Sequence, residues 1–231
     1  MARLWALDSL RGFAVALMVL FNWSFALKYF NVFTLGGGWL YWWLFPRLVG
    51  ALFLFIAGVS LALSWKQDKD SVHYVKRAAF LLSLGLVITG VTWFFFPQEF
   101  VFFGVLHLLG ASTFLVLPLL SKPRLAGLLG LSWIALAPLI NGFEASGLLA
   151  ASFGFSVPGI NSLDYFPLIP WAGVVFLGAA CSIGVAKALK DFKELTWAKP
   201  LVFLGKNSLA VYLLHQPLLL LALFVLGIRP F

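Results

Sequence analysis

The amino-acid sequence predicts an all-α integral membrane protein, a bundle of about seven transmembrane helices with a cytoplasmic N-terminus and a C-terminus outside. Three observations carry that reading. The chain is 62% hydrophobic and 10% charged over 231 residues, whereas soluble domains carry about 25% charged residues. Seven segments are apolar over roughly the 20 residues that a spanning helix needs. The basic residues between those segments favour one side of the membrane.

The segments are 9–29, 40–64, 77–96, 101–121, 124–141, 167–187 and 203–227. The first is long and no small-x-small cleavage site follows it, so it reads as a permanent span rather than a leader. Pro97 and Pro123 mark the tight breaks on either side of the fourth, because proline cannot continue a helix that needs its N–H. Pro167 and Pro170 suit the first turn of the sixth, where N–H groups are orphaned in any case. The connection 142–166 is long, rich in Gly and Ser, and still apolar; it either dips into the outer leaflet or caps a cavity. No internal repeat and no separate soluble domain is visible, so residues 1–231 read as a single transmembrane domain.

With the N-terminus inside, thirteen of the sixteen Lys and Arg residues lie inside; only Lys28, Arg47 and Arg229 lie outside. The opposite orientation would violate the positive-inside rule. Topology therefore accounts for the net charge of +8, and the charge does not point to nucleic acid. The single cysteine, Cys181, excludes an intramolecular disulfide and reads as a packing residue in "GAACSIG". No metal-ligand spacing, Walker loop or GxSxG elbow is present. An enzyme built on this chain needs an activated donor that arrives as a small molecule.

Ionisable and amide side chains within spans are functional candidates by default. Asp8 and Arg11 sit three apart on one helical face at the cytoplasmic mouth. They are either a helix-start acid with an interfacial arginine or a receptor for a cytosolic anion. Asn22 lies about 16 Å further along the same helix and on the same side, since eleven residues make close to three turns. It either bonds a neighbouring helix or lines a central cavity. Arg47, after Pro46, either snorkels to the outer interface or holds a carboxylate or sugar group. His107, about two turns into the fourth helix, is either structural or a general base. His215 sits mid-span beside Gln216 and before Pro217, which frees the Leu213 carbonyl for one of those two side chains. Asp164 stands at the outer mouth, where it can face Arg47. Lys206, Asn207 and Ser208 begin the last helix on the cytoplasmic side, as either a cap or a phosphate site. His73 lies in the charged loop and reads as solvated.

Five blocks, "RLWALDSLRGFAVALMVLFN", "FLFIAGVSLALSW", "FFGVLHLLG", "FPLIPWAGVVFLG" and "FLGKNSLAVYLLHQP", come in an order that resembles the membrane acyltransferases related to lysosomal heparan-alpha-glucosaminide N-acetyltransferase. The resemblance covers nearly the whole chain. It implies acetyl-CoA or another acyl-CoA as cytosolic donor, no metal, and an extracytoplasmic sugar or glycan as acceptor. It implies a donor site at Asp8, Arg11, Lys206, Asn207 and Ser208. On that model His107 is the base, Asn22 polarises the acyl carbonyl, and Arg47, Asp164 and His215 meet the acceptor. The chain departs from the family pattern at Asn22 and Ala26, where many prokaryotic members carry His and Asp, and in two places from the lysosomal enzyme. Residues 28–38 hold no histidine where the lysosomal enzyme has its catalytic one, and that enzyme has Gln at the His107 position. A multi-pass plasma-membrane location and a homodimer follow by analogy. A transporter or channel using the same polar path, or a non-catalytic scaffold of the same fold, are the competing readings.

The topology has a direct check. In a Cys181→Ser background, Ser71→Cys is expected to react with an impermeant maleimide only in inverted vesicles, and Ser146→Cys only in intact cells. The reverse pattern would overturn the orientation.

Overall fold

In hydrocarbon a backbone must satisfy its own hydrogen bonds, which leaves helices as the economical solution for apolar runs of this length. The computed structural model describes residues 4–33, 35–193 and 195–228. Arg3 and Arg229, both counted in the charge distribution, lie outside the described residues. The helices are α1 (Trp5–Tyr29), α2 (Phe45–Gln67, preceded by a π-helical turn Leu40–Leu44), α3 (Ser71–Phe95), α4 (Val105–Val116), α5 (Pro123–Asn141), α6 (Leu148–Phe153), α7 (Leu168–Leu189), α8 (Lys199–Lys206) and α9 (Ser208–Val225). Among the described residues there is no strand, only an isolated bridge between Glu144 and Ser156. The all-α membrane architecture expected from the sequence is what is found.

Among the described residues six helices are long and apolar enough to cross a membrane: Trp5–Tyr29, Leu40–Gln67, Ser71–Phe95, Pro123–Asn141, Leu168–Leu189 and Ser208–Val225. The expected fourth span is shorter. It is α4 continued by a 3-10 turn, Val105–Leu119, because residues 101–104 stay non-helical. The last span also differs from expectation. The segment 203–227 is broken at Asn207 (φ −106°, ψ 22°), which leaves the short α8 ahead of α9.

By contact density the chain forms two compact units, Met1–Ile56 with Ala186–Phe231, and Ala57–Val185. In the first, α1 packs on α8 and α9. The α1–α8 contact is made by backbone. A Cβ on Gly12 would collide with the Leu201 carbonyl oxygen, and one on Gly205 with the Asp8 carbonyl oxygen. Further along, Asn22 faces His215, and Ala26 packs with Leu219 and Leu223. Gly12 to Gly205 on α8, and Asn22 to His215 and Ala26 to Leu219 on α9, all share an offset of 193 positions. A constant offset means that α1 and α9 run parallel. Parallel first and last spans require an odd number of crossings, so Val105–Leu119 counts as a crossing despite its length.

In the second unit, α3 packs on α4. Tyr74 is buried; its hydroxyl lies 2.9 Å from Ser64 Oγ and 3.2 Å from the Asp68 carbonyl, which accepts from it, across the α2–α3 turn. Asp70 caps α3 by accepting from the Val72 N–H. Ile169 is extended (φ −104°, ψ 120°), so the continuous part of α7 starts at Pro170. The long 142–166 connection is folded rather than loose. It contains α6, the Tyr165 hydroxyl donates to the Ala151 carbonyl (2.7 Å), and the Leu163 and Phe166 N–H groups donate to the Glu99 and Phe103 carbonyls. Cys181, expected to pack, is exposed on α7.

Overpacking a tight contact costs about 1–3 kcal/mol. Gly12→Ala and Gly205→Ala are each expected at or above the top of that range, because the collision is with backbone. Gly90→Ala, which meets nothing within 4 Å, is expected to gain up to about 1 kcal/mol from helix propensity. Melting of the three variants in detergent tests this; equal losses at all three would contradict it.

Candidate active site

The sequence puts its polar residues on α1 at two levels, and the first unit gives partners to both. At the start of α1, Arg11 Nη1 lies 3.2 Å from Asp8 Oδ1 and 3.5 Å from the Gly205 carbonyl, the outer limit of a direct bond. Asp8 is buried and the Arg11 side chain 18% exposed. The glycine contact brings α8 close enough for this bridge. Lys206 ends α8 and is exposed. Asn207 turns its amide back to the Phe203 carbonyl (2.9 Å), so it does not cap α9 with its side chain. Ser208 opens α9, as the sequence predicts. Arg11, Lys206 and the first turn of α9 thus lie on adjoining elements of one unit.

About three turns along α1, Asn22 Nδ2 lies 3.0 Å from His215 Nε2. Arg11 and Asn22 both reach toward the 205–215 stretch, as their shared face requires. The tautomer of His215 follows from its other nitrogen. Nδ1 sits 2.7 Å from the Tyr212 carbonyl and 3.2 Å from that of Val211. Carbonyls only accept, so Nδ1 carries the proton. Nε2 then holds a lone pair, and the Asn22 amide donates to it. Trp23 Nε1 donates to the His215 carbonyl (3.0 Å), and Gln216 Nε2 lies 3.5 Å from the Asn22 carbonyl. Neither His215 nor Gln216 turns to the carbonyl that Pro217 frees. His215 is buried. The result is a fixed imidazole with its basic nitrogen presented to an amide.

His107, in the second unit, is arranged the other way round. Sequence spacing put it two turns into its helix. The structure puts it in the first turn, because α4 starts at Val105 behind Gly104. The Gly104 N–H donates to His107 Nδ1 (3.3 Å), the reciprocal half of a capping box. Nε2 therefore holds the proton and points at Thr89 Oγ1 (3.4 Å), whose own hydroxyl donates to the Val101 carbonyl (2.6 Å). Gly85 leaves room for the ring: a Cβ there would stand 2.9 Å from it. Asp164 serves the same helix end, its Oδ2 accepting from the Val105 N–H (3.1 Å). Both ring nitrogens of His107 are engaged in holding the entry to α4.

Arg47 lies on α2 with its Cζ 4.1 Å above the Trp43 ring and Nη1 donating to the Trp43 carbonyl (2.7 Å). It belongs to the first unit, Asp164 to the second. Among the described residues no group of three or more His, Cys, Asp or Glu gathers as a metal site.

The family model for heparan-alpha-glucosaminide N-acetyltransferase, catalytic, matches residues 3–217. The chain belongs to that family. Membership makes it, in general terms, a membrane acyltransferase, a class that draws on acetyl-CoA. Comparison with curated proteins and with solved structures returned no match to either. Sequence reading named Asn22 and His215 separately and missed their pairing. The shared offset of 193 was its one trace, and it has meaning only once two helices are known to lie side by side.

The capping account of His107 is testable, since glutamine also fills the third position of a capping box. His107→Ala is expected to cost about 1–2 kcal/mol. His107→Gln should recover most of it. Thermal melts that show equal losses for the two would contradict the role.

Proposed function

We propose that the chain transfers an acetyl or other acyl group from cytosolic acyl-CoA to an amino or hydroxyl group of a sugar or glycan on the far side of the plasma membrane. The observation that carries this reading is the Asn22–His215 pair on the same helices as the Asp8–Arg11 end. Arg11, Lys206 and the open first turn of α9 suit the phosphates of CoA, through charge and unpaired N–H groups. His215, fixed by two backbone carbonyls, suits the general base.

In the proposed reaction the acceptor N–H or O–H takes the place of the Asn22 amide at His215 Nε2. Its proton passes to Nε2 as the acceptor atom bonds to the thioester carbon. The Asn22 amide turns to the acyl oxygen, where a donor is needed as negative charge develops. The C–S bond then breaks, and CoA leaves as the thiol with the proton from His215. The sequence expectation made His107 the base. Its lone pair is spent on the Gly104 N–H, which supports the base at His215 instead. Asp164 would act by positioning α4.

The test is CoA release by purified protein in liposomes, given acetyl-CoA and an amino sugar. His215→Ala and Asn22→Ala are each expected to lower kcat by about 10²–10³-fold, while His107→Gln stays within a few-fold of wild type. Solute flux without CoA release would favour the transporter reading. Loss of turnover in His107→Gln with normal turnover in His215→Ala would return the base to His107.

A further inference from the structure

The end of α1 and the start of α2 carry a feature that the acyl-transfer reading does not use. Trp39 and Trp43 stack with ring centroids 4.6 Å apart and 18° between planes. The Arg47 guanidinium continues that stack, 4.1 Å above Trp43. The three residues are four apart in sequence, so one helical edge bears an indole, an indole and a cation in line. Trp39 is 59% and Trp43 43% exposed. The neighbouring cation is held in a similar way, with Lys28 Nζ 4.3 Å from the Trp42 ring centroid. Within the first unit, neither Arg47 nor Lys28 has a carboxylate partner among the described residues.

Depth makes the missing anion significant. The α2 span with its π-turn, Leu40–Gln67, has 28 residues, or about 42 Å at 1.5 Å each, against about 30 Å of hydrocarbon. Centred, it overhangs by about 6 Å at each end, and Arg47 lies about 10 Å from its start. That places the guanidinium just beneath the headgroups. A snorkelling arginine keeps its freedom to seek water. Here one N–H is tied to the Trp43 carbonyl and Cζ sits 4.1 Å from the ring centroid, so the group is anchored at two points. The remaining N–H donors lie within reach of the headgroup phosphates, which a guanidinium can bind bidentately.

We propose that Trp39, Trp43 and Arg47 form a binding site for the phosphate of an anionic membrane phospholipid, in the leaflet at the C-terminal end of α1. Arg47 holds the phosphate oxygens, and the exposed indoles line the glycerol and upper acyl chain. Lys28 adds charge to the same end of the first unit. The site is independent of acyl transfer.

Native mass spectrometry of the detergent-purified protein, titrated with phosphatidylglycerol or with a neutral diglucosyl diacylglycerol, tests the proposal. Wild type is expected to retain phosphatidylglycerol in preference. Arg47→Gln should weaken that retention at least fivefold, Arg47→Lys by less, and none should alter retention of the neutral lipid. Trp43→Leu, which keeps the charge and loses the platform, should weaken it too, and it stands as the test if Arg47→Gln does not fold. Equal phosphatidylglycerol retention in wild type and the folded variants would overturn the site. Full displacement of the lipid by millimolar inorganic phosphate would overturn the lipid as its ligand.

Discussion

Two absent side chains hold the candidate site in register. Gly12 and Gly205 allow α1 and α8 to touch through their backbones, each occupying space that a Cβ would need. In a membrane, helix association rests on such packing, because lipid tails are as apolar as leucine. Asn22 lies ten residues beyond Gly12 and His215 ten beyond Gly205, across the break at Asn207, and there the amide and the imidazole meet at 3.0 Å. The glycine contact also brings the Gly205 carbonyl to Arg11. A shift of one residue along this seam would separate both pairs.

The two buried histidines show how backbone environment assigns chemistry to identical rings. His215 sits three and four residues beyond carbonyls that hold its Nδ1 proton, which leaves Nε2 basic. His107 sits three residues beyond an N–H that fills its Nδ1 lone pair, which leaves Nε2 protonated. One is in the middle of a helix and the other in its first turn. Free N–H groups exist only at the start of a helix and accepting carbonyls all along it, so the position decides the tautomer.

Much of this was legible in the sequence and some was not. Apolar length located the spans, and the spacing of Asp8, Arg11 and Asn22 placed all three on the face that meets α8 and α9. Helical geometry is local, so such readings survive folding. The start of α4 was misjudged because "FFGVLHLLG" is apolar throughout, and hydropathy cannot see that Gly104 is a cap. The break at Asn207 was hidden in the same way, inside a continuous apolar run. The partnership of Asn22 with His215, and the role of Gly12, depend on which helices are neighbours. A single sequence carries no record of that. Arg47 on Trp43 is a local i, i+4 pair, and the spacing was present to be read. It was passed over in favour of a more distant partner for the charge.

An acyl-CoA seated at the Asp8–Arg11 end of the α1–α8–α9 seam is open to calorimetric titration of acetyl-CoA into the detergent-solubilised protein, with Arg11→Ala and Lys206→Ala measured alongside. Binding is expected to saturate and to weaken several-fold in each variant. Absence of binding by wild type at millimolar ligand would contradict that seating.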